Sequence, residues 1–500
     1  MVTTTRHLPN MGSQANLSAM GAEVAALATT VAAALEKGGH PQPSFAADSP
    51  ATFPPDADIQ QPRLRLIEVL TDLLYLATGA GDYLFLHGGF FLNHDATVLD
   101  LLNQFNIFTH VPLSSSASYT DIARATNLPE AAVRRILRYA FTMRFFAPDP
   151  TDQSNNRVVH TAFSAHAARS PALRAWFGIA LDETRPATVH TAEALRRFSA
   201  GRAQPSEELD ETPFSLWWPP REAESESESG SGSGDGLWAE KKKKKRMSYW
   251  EARDDPKEAW RAKRFAEAMQ ASVGSAIIQA DDVVNRFDWG ALGEAKVVDV
   301  GGSDGALAAV LARKHPLLHF VVQDLPHIKT DFQTNLPADL AATGRIQFEG
   351  HDFFQPQPQT AGTDVFILKH VLHNWPDKHA AQILRNLVAG LNTNTTGGSD
   401  SDNKKQQNGK GGSRSRSRIL ICDSVVPSEQ EAHTLPLSVR KGIAGADMQM
   451  LVMLNASERT VDDWSRLAQR ADPRLRLEKV HQVPGAMSSL LELVLDEGVE

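Results

Sequence analysis

Along the second half of the chain, short apolar runs alternate with stretches in which apolar residues return every three or four positions. The runs are "KVVDVGG", "HFVVQDLP", "RIQFEGHDFF", "TDVFILKH" and "SRILICDSVVP". Between them lie "ALAAVLARKHP" and "DKHAAQILRNLVAGL", and "DPKEAWRAKRFAEAMQASV" precedes them all. Such runs predict strands, and the periodic stretches predict helices. The alternation therefore predicts an α/β fold, a doubly wound and mostly parallel sheet of Rossmann-like type, from about residue 249 onward. Ligands of such sheets gather at the carboxyl ends of the strands.

The first half reads differently. "LRLIEVLTDLLYLATGAG" and "TVLDLLNQFNIFTHVP" carry helical apolar spacing. "SYTDIARATNLPEAAVRRILRYAFTMRFFAPDP" predicts a helix, a turn at Asn127-Leu128-Pro129, and a second helix with Val133, Ile136, Leu137 and Phe141 on one face. A short strand and a polar wing (Asp152–Arg157) follow, which makes a winged helix-turn-helix. The Ala-rich stretch Met20–Leu35 predicts one helix ahead of a Pro/Gly/Ser-rich segment, 37–63. Two low-complexity segments, 221–246 and 393–418, are too polar to bury a core.

Composition narrows the classes. The net charge of −9 argues against wholesale binding of nucleic acid or an anionic membrane. The run Lys241–Lys245 reads as a solvated loop that balances the Glu/Ser tract before it. A single cysteine, Cys422, excludes an internal disulfide and a cysteine-cluster metal site, and suits a reducing, cytoplasmic setting. A bilayer span needs about 20 continuous apolar residues. The Met20–Leu35 stretch is interrupted by Glu23 and threonines, so no span is expected.

The most informative stretch is "VVDVGGSDGALAAVLARKHPLLHFVVQDLP", 297–326. A strand ends in Gly301-Gly302, Gly305 opens a helix, and the next strand ends in Asp324, where an acid can accept from ribose hydroxyls. The dinucleotide and P-loop fingerprints both fail. Asp299 is awkward for a pyrophosphate but suits an ammonium or sulfonium charge, which favours S-adenosylmethionine.

"DVGGSDG", "VVQDLP", "GHDFF", "LKHVLHNWPD" and "LNASERT", in this order, resemble the S-adenosylmethionine-dependent O-methyltransferases of the plant caffeate and fungal sterigmatocystin type. "PEAAVRRILRYA" and "PFSLWW" add to the likeness with the fungal enzymes. The resemblance implies that Gly301 and Gly302 wrap the methionyl part of the cofactor and that Asp324 holds its ribose. It implies that Asp352 and Phe353 frame the adenine and that Lys369 is the basic residue late in the fourth strand. The implied general base is His373, oriented by Glu458 and by Asp423, where many relatives carry Glu. Met269, Trp217 and Trp218 are implied or candidate walls of a pocket for an aromatic methyl acceptor, with core packing as the competing account.

The resemblance also implies a domain plan and a homodimer. Residues 1–63 are a flexible segment with one helix, and 64–205 a helical and winged-helix dimerisation domain. Residues 206–248 are a linker with the first insertion, and 249–500 the cofactor-binding domain with a second insertion at 393–418. His370 is expected to be packed or surface-facing. No metal is expected, because no third ligand is evident near the two histidines. Two other functions remain open: a DNA-binding regulator that senses the cofactor, with Arg134, Arg135 and Arg138 as readers, and a methyltransferase-fold enzyme doing non-methylating chemistry.

Overall fold

Residues 119–142 fold as their apolar spacing predicts. Helices Tyr119–Thr126 and Glu130–Thr142 meet at Asn127, whose left-handed backbone (φ 56°) turns the chain. Val133 and Leu137 are fully buried beside Ile107, Phe108 and Ile122, with Ile136 and Phe141 packed at the edge. Three short strands, β1 (Ala117–Ser118), β2 (Ala147–Pro148) and β3 (Arg157–Val159), pair antiparallel in the order β1-β3-β2. Asp149 and Asp152 pin the loop between β2 and β3 by accepting from the N–H groups of Thr151 and Ser154.

The structure is a computed structural model that describes residues 16–222, 244–273, 286–358, 363–391, 417–432, 435–482 and 488–496. It divides into two units. The first comprises Met1–Pro186, Ala252–Ala276 and Leu435–Lys441, and the second Ala187–Glu251, Ile277–Thr434 and Gly442–Glu500. In the first, helix Leu17–Lys37 packs along helix Ala57–Thr78 through Val31, Leu35 and Ile59. Contrary to expectation, Leu17–Lys37 is long and apolar enough to cross a membrane. Thr29 and Thr30 do not interrupt it, because their hydroxyls return to the carbonyls of Ala25 and Ala26. Helix Ala259–Val273 lies against helix Pro171–Gly178, where Arg264 pairs with Asp182 and Glu183.

In the second unit, β4 (Arg221–Glu222) and β5 (Lys244–Lys245) pair antiparallel at the base of the first low-complexity segment. The segment itself, with Lys241–Lys243, lies outside the described residues, as does most of 393–418. Lys245 also pairs with Glu251 at 2.9 Å, and Glu251 accepts from the Ser248 N–H.

All five expected strands are present: β6 (Ala295–Val300), β7 (Leu318–Asp324), β8 (Ile346–Gly350), β9 (Val365–Lys369) and β10 (Arg418–Ser424). They run parallel, with β9 and β10 on one side of β6 and β7 and β8 on the other. Their continuous apolar runs are explained by burial on both faces. Val297, Ile367 and Leu420 face a cluster with Leu311 and Phe332. Their neighbours Val298, Leu368 and Ile421 face Leu384, Leu387 and Trp464. Two further strands, β11 (Leu475–His481) and β12 (Ser488–Leu495), extend the sheet antiparallel beyond β10 to give the order β11-β12-β10-β9-β6-β7-β8.

Candidate active site

The chain leaves β6 toward β7 and later returns to β9, so the strand order reverses between β6 and β9. A crevice is expected at that switch point, outside the carboxyl ends of the strands. The glycine loop lies there. Gly301 has φ +71°, and the N–H groups of Gly301 and Gly302 both donate to the Gln323 carbonyl at 2.8 and 3.2 Å. A Cβ on Gly302 would lie 2.7 Å from Asp299 and 2.9 Å from Val322, and one on Gly301 3.0 Å from Val371. The glycines are thus required because the loop folds closely onto its own sheet, whatever ligand it meets.

Asp324, at the end of β7, holds this loop. Its carboxylate accepts from the Ser303 N–H at 2.9 Å and from its neighbour Leu325 at 2.7 Å. Behind the loop lies Asp299, almost fully buried, with Oδ2 lacking any hydrogen-bond partner among the described residues. Burial pushes its carboxyl up to about 7, against the pull of Lys369 and with a further push from Asp324 and Asp304. A buried, incompletely partnered carboxyl beside a glycine loop fits a ligand that brings positive charge.

Past β8, the Asp352 carboxylate accepts from the Phe354 N–H at 2.9 Å, and the Phe353 carbonyl accepts from Asn386 at 2.9 Å. The Phe353 ring meets Trp375 edge-on at 5.8 Å. From Trp375 an aromatic series continues through Trp250 (stacked, 5.6 Å) and Tyr249 to Phe214, which touches both Trp217 and Trp218. One ladder of rings therefore joins the residues expected at the adenine to those expected at the acceptor. Met269 lies in the first unit, packed with Phe265 near Ala175 and Ile179.

The two histidines follow β9. His373 sits in a single 3₁₀ turn, Leu372–Asn374, and its Nδ1 is 2.9 Å from Glu458 Oε1. The Glu458 side chain is fully buried, and its N–H donates to Asp447 at 2.8 Å. The next residue, Arg459, was not singled out by sequence reasoning. Its buried guanidinium donates to the carbonyls of Leu372 (3.0 Å) and Trp375 (2.7 Å) and to Asp377 (2.8 Å). Glu458 thus fixes the His373 ring, and Arg459 the backbone on either side of it. The signal is present in "LNASERT", where the resemblance assigns a role only to the acid.

Asp423 is not a hydrogen-bond partner of His373. In the parallel register Cys422 lies opposite Lys369, so Asp423 comes beside His370. Its Oδ1 is 3.6 Å from His370 Nδ1, too far for a hydrogen bond. It acts on His373 through its charge. Burial lowers the affinity of His373 for a proton, but the Asp423 charge and the Glu458 bond together outweigh it, and the pKa stands above the ordinary value. His370 itself is held at φ 53° by its N–H to the Cys422 carbonyl. One donor atom from each of His370, His373 and Asp423 lies within 4.8 Å of the others.

Residues 240–399 match the model of an O-methyltransferase domain. The O-methyltransferase pgmB of Aspergillus terreus is 30% identical over 475 residues, covering 92% of either chain. The chain belongs to the S-adenosylmethionine-dependent O-methyltransferases. Its fold matches OxaC in complex with S-adenosylhomocysteine and oxaline (TM-score 0.63, 20% identity, 95% of this chain and 100% of that one). It also matches a structure described as a pericyclic reaction enzyme (TM-score 0.62, 18% identity, 95% and 100%). The family's cofactor is S-adenosylmethionine, and the buried Asp299 beside the glycine loop fits its positive charge.

Proposed function

We propose that this enzyme methylates a phenolic hydroxyl of an aromatic, polyketide-type small molecule, with His373 as general base. The observation that carries the reading is the 2.9 Å bond from His373 Nδ1 to the buried Glu458. A carboxylate on Nδ1 selects the tautomer whose Nε2 lone pair is free to take a proton. A phenol with pKa near ~10 is mostly neutral at pH 7 and needs such a base as it attacks. The cofactor supplies a methyl group already activated on sulfur. Gly301, Gly302, Asp324, Asp352, Phe353 and Lys369 are proposed to hold it, and Trp217 and Trp218 to wall the acceptor pocket. Asp423 supports the base by its charge.

His373→Ala is expected to leave cofactor affinity and folding near wild type and to reduce turnover by ~10²–10⁴-fold. The pKa of His373 is raised, and only its neutral form accepts a proton. Wild-type turnover should therefore climb with pH above 6.5, through that raised value. The variant should recover on more acidic phenols, which ionise without help. A His373→Ala enzyme with undiminished turnover would remove the base from the mechanism.

The pericyclic enzyme on the same fold keeps non-methylating chemistry as the rival reading. Transfer of radiolabelled methyl to a phenol pool separates the two. The regulator reading is disfavoured because Arg134 is engaged with Glu130, Asn156 and the Tyr119 ring. We read the first unit as carrying a winged-helix dimerisation module, and the enzyme as a cytoplasmic homodimer. Support comes from a large exposed apolar surface on residues 70–92, including Leu74, Leu84, Phe85, Phe90 and Phe91.

A further inference from the structure

The carboxyl group of Asp423 is buried without a hydrogen bond. Its side chain is fully buried, and neither oxygen has a partner among the described residues. Burying a carboxylate in that state is unfavourable unless a cation faces it. Two imidazoles converge on it: His370, with Nδ1 3.6 Å away, and His373, whose ring centroid lies 5.5 Å from that of His370. One donor atom from each of the three side chains falls within a 4.8 Å group. His370 lies in the left-handed region, which few non-glycine residues adopt, and is held there by its N–H to Cys422 and by Asn374, which donates to its carbonyl.

We propose that Asp423, His370 and His373 form a binding site for a divalent transition ion of the zinc type, and that the ion inhibits the enzyme. Two imidazoles and one carboxylate are the donor set of open zinc sites, with the remaining position left to water. Magnesium and calcium prefer all-oxygen surroundings and are not expected to bind. Glu458, on the Nδ1 of His373, has the place of the outer carboxylate that orients a ligating histidine. The site is reachable, since the His370 side chain is 30% exposed.

The inhibitory half of the proposal rests on reading His373 as the base. An ion on Nε2 takes the lone pair that would receive the phenol proton. An ion on Nδ1 displaces Glu458 and opposes protonation of the ring by its charge. Either way, metal and proton compete for one histidine.

The test titrates the full, untagged chain with ZnCl₂ by calorimetry and with CoCl₂ by visible absorption. His370→Asn is the main variant, because asparagine accepts the left-handed backbone; His370→Ala is the second. Wild type should bind one ion per chain, and both variants should bind roughly tenfold or more weakly, since even an outer partner is worth that much. Both variants should keep basal methyl transfer while requiring about tenfold more Zn²⁺ for the same inhibition, and MgCl₂ should not inhibit wild type. Absence of binding, or equal binding by wild type and His370→Asn, overturns the site. Binding that depends on His370 but leaves turnover untouched upholds the site and overturns His373 as the base.

Discussion

Asp299 is expected to make cofactor binding a proton-linked event. Its carboxyl titrates at about 7 because it is buried, whereas an unfolded aspartate titrates near ~3.9. The native chain therefore holds this proton more tightly than the unfolded chain, and the contribution to stability falls as pH rises from about 4 through 7. A cationic ligand beside the group favours the ionised form and displaces the proton. Affinity for S-adenosylmethionine is expected to rise with pH up to about 7 and level off above it. Calorimetry at pH 6 in buffers of different ionisation enthalpy should register release of close to one proton, and Asp299→Asn should abolish that dependence on buffer. Equal proton release by the variant would place the titrating group elsewhere. The sequence disclosed the acid, but its unsatisfied oxygen depends on how the loop packs, which the sequence does not spell out.

The single turn between β9 and helix Asp377–Val388 shows what can be read from sequence at the level of elements. The five parallel strands were legible because they are buried on both faces and so appear as unbroken apolar runs. The pairing of β11 with β12 was not: β11 mixes Leu475, Leu477 and Val480 with charged residues, which gives neither a continuous run nor clean alternation. His373 and Glu458 were legible through the motif resemblance, but the position of Asp423 depends on the register of β10 against β9 and was not. Arg459 was hidden because a buried arginine looks like a surface arginine in sequence. Its role is testable. Arg459→Ala leaves the Leu372 and Trp375 carbonyls without a buried donor and is expected to destabilise the protein by about 1–3 kcal/mol for each acceptor left unpaired. Arg459→Lys should restore part of the stability but little of the turnover, since one ammonium cannot span three acceptors fixed by a planar fork. Denaturant melts and steady-state rates on both variants check this, and full activity in the lysine variant would exclude a positioning role.

Over the whole molecule, the insertions and the exposed apolar surface call for separate tests. Deleting 223–243 and 395–416 with short Gly/Ser closures should change the melting temperature little, because doubling a loop costs only about 0.6 kcal/mol. The first deletion must stop short of Lys244 and Lys245, which pair with β4, and Lys245 also holds Glu251. Extending it through 245 should lower stability further. The surface at residues 70–92 bears on assembly. Leu84 and Phe85 are 70% and 67% exposed, and Leu74, Phe90 and Phe91 flank them in sequence. Apolar residues so exposed favour a partner, and a second copy is the partner expected of a dimerisation module. Leu84→Glu with Phe85→Lys changes only exposed side chains, so folding should be preserved while association is lost. Light scattering should give a dimer of about twice the 54.6 kDa chain for wild type and a monomer for the double variant. If both scatter as monomers, the surface does not pair copies of this chain; if wild type instead co-sediments with neutral lipid vesicles and the double variant does not, the surface meets a bilayer.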